Sequence, residues 1–217
     1  NITVTGKELE PIAYDIGPAN GLIDAAIQAH SKGAMKFDED AKIAKSGKVD
    51  EKILAALLNE PFYKELPPKS TGKELFHLPY ILDFFGAIET WNLPNVLRTL
   101  LELTVETVAL EVDRYKLKQL YIHGGGSANP LMMSRLQERL PNCEVAPMSV
   151  LGLDPRQKEA VTFALIGYLS LHGLPGAIPS CTGAASAEVL GSFTPGSSPL
   201  QLPAPKARGE YRVRILT

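Results

Sequence analysis

Three consecutive glycines, Gly124, Gly125 and Gly126, lie between the apolar run Gln119-Leu120-Tyr121-Ile122-His123 and the pair Asn129-Pro130. Glycine has no Cβ, so its backbone can approach a flat ring or a phosphate closely. A helix opening at Asn129-Pro130 would add unpaired N–H groups and a partial positive charge. That arrangement suits a nucleotide site, and it equally suits a tight strand-to-helix turn. It is not a Walker A loop, since no Gly-Lys-Ser/Thr follows, nor the Rossmann fingerprint, since the glycines are contiguous. A second candidate is Asp15, placed ahead of Gly17-Pro18-Ala19-Asn20. An aspartate at a strand end can hold a metal-bound water or a sugar hydroxyl, or it can simply cap the turn. Lys69-Ser70-Thr71-Gly72-Lys73-Glu74 is basic and rich in hydroxyls, as fits an anion-binding loop or an ordinary solvated one. Glu159, beside Lys158, can accept hydrogen bonds from a polyol or merely complement a helix dipole. His30, His77, His123 and His172 have no ligand spacing, and with Cys143 and Cys181 they make no case for a metal centre.

These residues need elements to position them. Residues 2–5 and 11–15 read as two short strands joined by a turn at Gly6-Lys7, because β-branched residues alternate there. A helix follows over 22–29, capped by Asn20 and stopped near Gly33. Residues 36–52 are polar and lysine-rich and read as a solvated connection. A short helix begins over 53–58 and is cut off by Pro61, and residues 67–73 form a loop. Residues 95–115 carry the best helical pattern, with Val96, Leu97, Leu100, Leu101, Thr104, Val105, Val108 and Val112 at spacings of three and four. Glu102, Glu106 and Glu111 fall elsewhere on that helix's surface. It could serve a core or a homodimer. A strand over 119–123, a helix over 130–140, a strand over 143–146 and a helix from Asp154-Pro155 to about His172 complete a parallel α/β pattern. Residues 197–209 read as a surface segment or linker.

Composition narrows the classes. The 217 residues are 45% hydrophobic and 21% charged, with a formal net charge of -2. Collagen-like, disordered and disulfide-scaffold proteins fit those proportions poorly. A charge near neutral argues against nucleic acid and membrane surfaces as partners. No apolar run reaches the roughly 20 residues that span a bilayer. Two cysteines far apart in sequence point to reduced thiols and a cytoplasmic setting.

Taken in order, the segments resemble one family. Tyr14-Asp15-Ile16-Gly17-Pro18-Ala19-Asn20 with Ile23-Asp24-Ala25 is similar to its FDTGPGN-x-x-x-DA segment. Residues 67–76 resemble its PPKSTGRE-x-F loop, and residues 124–132 its GGGAxNPxLM stretch. Glu159-Ala160 with Phe163-Ala164, then Gly173-Leu174-Pro175-Gly176 and Thr182-Gly183-Ala184, continue the match. The family is anhydro-N-acetylmuramic acid kinase, including the related levoglucosan kinases. The resemblance covers residues 1–195 and leaves 196–217 as a C-terminal tail.

The resemblance implies an α/β, RNase H-like C-terminal domain of the hexokinase, Hsp70 and actin superfamily, with a mixed sheet flanked by helices. It implies ATP and Mg2+ as cofactors and an anhydrosugar as substrate: water and ATP open the 1,6-anhydro ring and phosphorylate O6. Gly124, Gly125, Gly126 and Asn129 would then line the adenosine pocket. Asp15, Gly17 and Asn20 would sit at the cleft near the phosphates, and Glu159 would face the sugar. The family's catalytic aspartate and first phosphate loop belong to an N-terminal domain, and neither motif occurs in these residues. The expectation is therefore a chain that starts inside the C-terminal domain, one strand short, with the missing N-terminal domain as its partner and no turnover by itself. Two positions depart from the family pattern: Ile16 stands where threonine is usual, and Ala19 where glycine is. A diverged, non-catalytic nucleotide- or sugar-binding module is the alternative those departures raise.

Overall fold

The computed structural model describes residues 1–152, 154 and 157–206. Two three-residue strands, β1 (Ile2–Val4) and β2 (Ile12–Tyr14), hydrogen-bond to each other, as the alternation of β-branched residues predicts. Then come α1 (Gly21–His30), α2 (Glu51–Leu57), α3 (Leu78–Phe85), α4 (Leu93–Tyr115), β3 (Gln119–Ile122), α5 (Pro130–Arg139) and β4 (Glu144–Pro147). The described chain closes with α6 (Lys158–Leu171) and the short α7 (Pro179–Thr182). It divides into two compact units. The first holds residues 1–2 and 14–150, and the second holds 3–13 with the described residues after Val150.

The first unit is built around α4. Asn92 caps this helix by accepting from the Asn95 N–H, Pro94 lies in its first turn, and it ends at Lys116 in the left-handed conformation. Leu97, Leu100, Leu101, Leu103, Val105 and Ala109 are fully buried. So α4 is core on most of its circumference. That corrects the surface placement of its glutamates. Glu102 is buried against the Arg135 guanidinium, at 3.1 Å from Nε and 2.8 Å from Nη2. Glu111 is buried against Tyr14 and Arg114. Helices packed around α4 leave no solvated face for these carboxylates, and each is retained by a hydrogen-bonded partner.

Residues 36–52 also differ from expectation. Rather than a solvated connection, they form two 3-10 turns, Glu39–Ala41 and Ala44–Ser46, whose alanines Ala41 and Ala44 are buried. Asp38 accepts the Ile43 and Ala44 N–H groups at 2.9 and 2.8 Å, and Asp50 caps α2 through Lys52 and Ile53. Small residues are what let this polar segment seat closely: a Cβ on Gly47 would stand 2.0 Å from the Pro94 carbonyl oxygen.

The strand β3, helix α5 and strand β4 form the expected parallel unit, with Gln119 opposite Glu144 and Ile122 opposite Pro147. The Gln137 side chain fastens α5 to the start of β4, donating to the Leu140 and Cys143 carbonyls and accepting from the Val145 N–H. Cys143 is a free, buried thiol whose pKa burial pushes up. The described strands form two separate two-stranded sheets, β1-β2 and β3-β4, rather than the one mixed sheet that the resemblance implies.

In the second unit, Ser180 at α7 donates to the Pro11 carbonyl at 2.5 Å. Ser170 donates to the carbonyls of Ile166 and Leu190. Lys206 returns to the end of α6, its N–H bonding the His172 carbonyl and its ammonium the Tyr168 hydroxyl. Helix α6 begins at Lys158 rather than at Asp154. Pro155, the expected opening residue, and tail residues 207–217 lie outside the described residues. No helix among the described residues is long and apolar enough to cross a membrane.

Candidate functional site

Two turns of the first unit come together. One follows β2 and carries Asp15, Gly17, Ala19 and Asn20; the other follows β3 and carries the three glycines. Asn20 was expected to cap α1 with its side chain, and it does not. Its backbone is helical and its side chain makes no capping bond. Its amide instead reaches the glycine turn, where Nδ2 stands 3.1 Å from the position a Cβ on Gly125 would occupy.

The glycine turn is bare. Gly124 has φ +72°, in the left-handed region, and a Cβ there would meet nothing within 4 Å. Gly124 and Gly125 are exposed, and a 3-10 turn over Gly125–Ala128 leads to Asn129. Asn129 caps α5 as predicted, its Oδ1 accepting from the Met132 N–H at 2.9 Å. The capping oxygen is thereby used, and the amide nitrogen is left as a donor at a helix N-terminus.

Helix α4 underlies the Asp15 turn. Thr104 donates to the Ala19 carbonyl at 2.8 Å, and Thr107 Oγ1 would lie 3.0 Å from a Cβ on Gly17. Both threonines are buried; Thr104 falls in the helical stripe read from the sequence, whereas Thr107 did not stand out. The available signal was polar residues three apart within an apolar helical stripe. Ala19 adopts φ +48°, the conformation for which glycine is usual, and Ile16 is a buried apolar side chain.

The loop over 67–73 exposes Pro68, Ser70 and Lys73, yet it is pinned to Asp15. Its Ser70 hydroxyl and Thr71 N–H donate to Asp15 Oδ2 at 2.9 and 3.0 Å, and the Asp15 N–H donates to the Lys69 carbonyl at 3.2 Å. Among the described residues Asp15 Oδ1 accepts no hydrogen bond. Lys69 itself points inward. Behind it, Tyr14 donates to Glu111 at 2.6 Å, and burial with that carboxylate raises the phenol's pKa. Glu159 is exposed in the first turn of α6, in the second unit, and that unit is described by itself.

The residues fit the groups they were matched to. A bare glycine turn beside a capped helix suits a nucleotide. An aspartate with one clamped oxygen suits a hard cation that takes most of its ligands from water and phosphate. Among the described residues no three His, Cys, Asp or Glu side chains group around a metal position. A separate cleft of about 380 Å³, lined by Lys116, Lys118, Arg139 and Cys143 among others, lies where β3 and β4 begin. The glycine turn lies at the other end of β3, the carboxyl end, where ligands of parallel sheets bind.

Comparison with known proteins identifies the family. Residues 1–196 match the family model described as anhydro-N-acetylmuramic acid kinase. The anhydro-N-acetylmuramic acid kinase of Streptomyces coelicolor is 45% identical over 216 residues, covering 100% of this chain and 55% of the relative. That of Rhodococcus erythropolis is 44% identical over 187 residues, covering 86% of this chain and 47% of the relative. The Photobacterium profundum protein of the same name is 37% identical over 206 residues, covering 91% and 54% respectively. The chain thus spans about half the length of the curated relatives it matches. The ordered segments, a family match over nine-tenths of the chain and relatives up to 45% identical lead to one conclusion: this chain belongs to the anhydro-N-acetylmuramic acid kinase family.

Proposed function

We propose that this chain supplies the nucleotide-binding half of an ATP- and Mg2+-dependent anhydrosugar kinase. The reaction opens the 1,6-anhydro ring of anhydro-N-acetylmuramic acid with water and phosphorylates O6. The observation that carries this reading is the juxtaposition of the bare Gly124-Gly125-Gly126 turn with Asn20 of the Asp15 turn. An RNase H-like domain is the architecture we assign. The β1-β2 pair, the long α4 and the parallel β3-α5-β4 unit support it.

In this scheme Gly124, Gly125 and Gly126 present backbone to the adenosine, and Asn129 offers its amide nitrogen beside the N-terminus of α5. Asp15 orients a hydrated cation near the phosphates, Gly17 keeps that turn close to α4, and Asn20 links the two turns. Mg2+ would neutralise charge on the transferring phosphoryl group. The chain's own residues contribute placement, which is what a loose, charge-spread phosphoryl transfer requires. Glu159, exposed at the start of α6, is assigned to the sugar hydroxyls. The base that activates water is assigned to the part of the family's length that this chain does not span.

The test is nucleotide binding by the 217-residue chain. Gly125→Val puts a branched side chain against Asn20 and into the turn, and should weaken ATP affinity by about tenfold or more. Unchanged affinity would remove the glycine turn from the site.

A further inference from the structure

Taking the nucleotide reading as its premise, we infer that Lys69 is a positioning residue that sets how Asp15 presents its carboxylate to nucleotide-bound Mg2+. Lys69 stands where the 67–73 loop meets Asp15. Its carbonyl accepts the Asp15 N–H at 3.2 Å. The next two residues hold Asp15 Oδ2, through the Ser70 hydroxyl at 2.9 Å and the Thr71 N–H at 3.0 Å. Two bonds to one oxygen fix the rotation of the carboxylate plane. Among the described residues they leave Oδ1 without a hydrogen bond, so it is the oxygen that can meet a cation's water.

What fixes the loop is the lysine side chain. It is 9% exposed, and its ammonium donates to the Phe62 carbonyl at 2.9 Å. The charge lies 4.5 Å from the Phe62 ring centroid and 5.9 Å from that of Tyr14. An ammonium in solvent keeps all its hydrogen bonds, so burying one with a single acceptor is costly and selects a specific arrangement. The aromatic faces offset part of that cost. Tyr14 is itself anchored on Glu111, and Glu111 on Arg114. The Asp15 clamp is therefore fastened to the core at two points: through Tyr14, its chain neighbour, and through Lys69. Burial lowers the Lys69 pKa, consistent with an ammonium held away from water.

A purely structural lysine would lower affinity for ATP with and without Mg2+ alike. A positioning lysine acts on the metal-dependent part alone. The experiment is calorimetric titration of the 217-residue chain with ATP in Mg2+ and in EDTA, for wild type, Lys69→Met and Ser70→Ala. Wild type should bind Mg-ATP more tightly than ATP. Lys69→Met should lose that enhancement by about tenfold, the worth of one hydrogen bond to a charged group, while metal-free affinity stays within about twofold. Ser70→Ala removes one of the two clamping bonds and should show a smaller loss of the same kind. If Lys69→Met does not fold, Ser70→Ala decides the matter. An enhancement unchanged in the folded variants, or equal losses in Mg2+ and EDTA, overturns the positioning role. Wild type that binds ATP without any Mg2+ enhancement overturns it too, while leaving the nucleotide reading intact. Absence of nucleotide binding by wild type removes the nucleotide reading and the proposal with it.

Discussion

Ala19 is the residue at which the sequence and the backbone disagree most sharply. An alanine at φ +48° places its Cβ against the following carbonyl, at a cost of roughly 1–2 kcal/mol. Glycine removes that cost and adds back some chain entropy in the unfolded state. Ala19→Gly should therefore stabilise the chain by about 1 kcal/mol, read as a rise in the denaturation midpoint at unchanged slope. A loss of stability would mean that the turn does not adopt this conformation. Asp24, five residues on, gives a pH-dependent case. Burial raises its carboxyl pKa above the unfolded value, so the folded state binds the proton more tightly. The resulting penalty is full above the folded pKa and fades as pH falls through it toward the unfolded pKa. Asp24→Asn should be more stable than wild type at neutral pH, with the advantage shrinking into the carboxylate range. Thermal melts across pH would show it, and an Asn variant less stable at neutral pH would indicate a partner for the charge. Much of the site was legible at this scale, since glycines, an N-capping Asn129 and Asp15 announce themselves by type. Lys69 was not. A lysine in a Pro-Pro-Lys-Ser loop reads as solvated, and only the three-dimensional neighbours Phe62 and Tyr14 place it inside.

At the scale of elements, periodicity served where one force dominated. The stripe over 95–115 marked α4, and strand, glycine turn, Asn-Pro and strand marked β3-α5-β4, because burial and capping acted in the same direction there. It failed for 36–52, where the fully buried side chains are Ala41 and Ala44 and only Ile43 and Val49 pack half-buried beside them, so the hydrophobic signal is weak. Gly47 shows how tight that packing is. A Cβ would stand 2.0 Å from the Pro94 oxygen and 2.9 Å from the Asn95 nitrogen, both backbone atoms of α4. Backbone cannot yield as a side chain can. Gly47→Ala should therefore destabilise the first unit by about 3 kcal/mol, at the upper end of ordinary overpacking. The Lys48 N–H bond to Asn95 and the Asp50 N–H bond to Thr99 hold the same contact and should loosen with it. Hydrogen exchange at residues 48 and 50 is the direct measurement. A variant with wild-type stability and unchanged protection there would show that the segment packs otherwise.

For the whole molecule, the proposed reaction asks for more groups than the described residues bring together. Opening the anhydro ring requires a base beside the anomeric carbon as well as a cradle for the phosphates. Asp15 is the acidic residue of the nucleotide site, and one of its oxygens is committed to Ser70 and Thr71. Glu159 belongs to the other unit and is assigned to the sugar. With the chain spanning about half the length of its relatives, we expect binding without turnover. Incubated with Mg-ATP and 1,6-anhydro-N-acetylmuramic acid, the 217 residues should release no ADP or sugar 6-phosphate beyond background. Loss of a general base alone lowers rate by about 10²- to 10⁴-fold, and loss of half the phosphate contacts compounds it. Turnover comparable to that of a full-length relative would require a base within this chain. Asp15→Asn and Glu159→Gln would then identify which carboxylate had been assigned the wrong role.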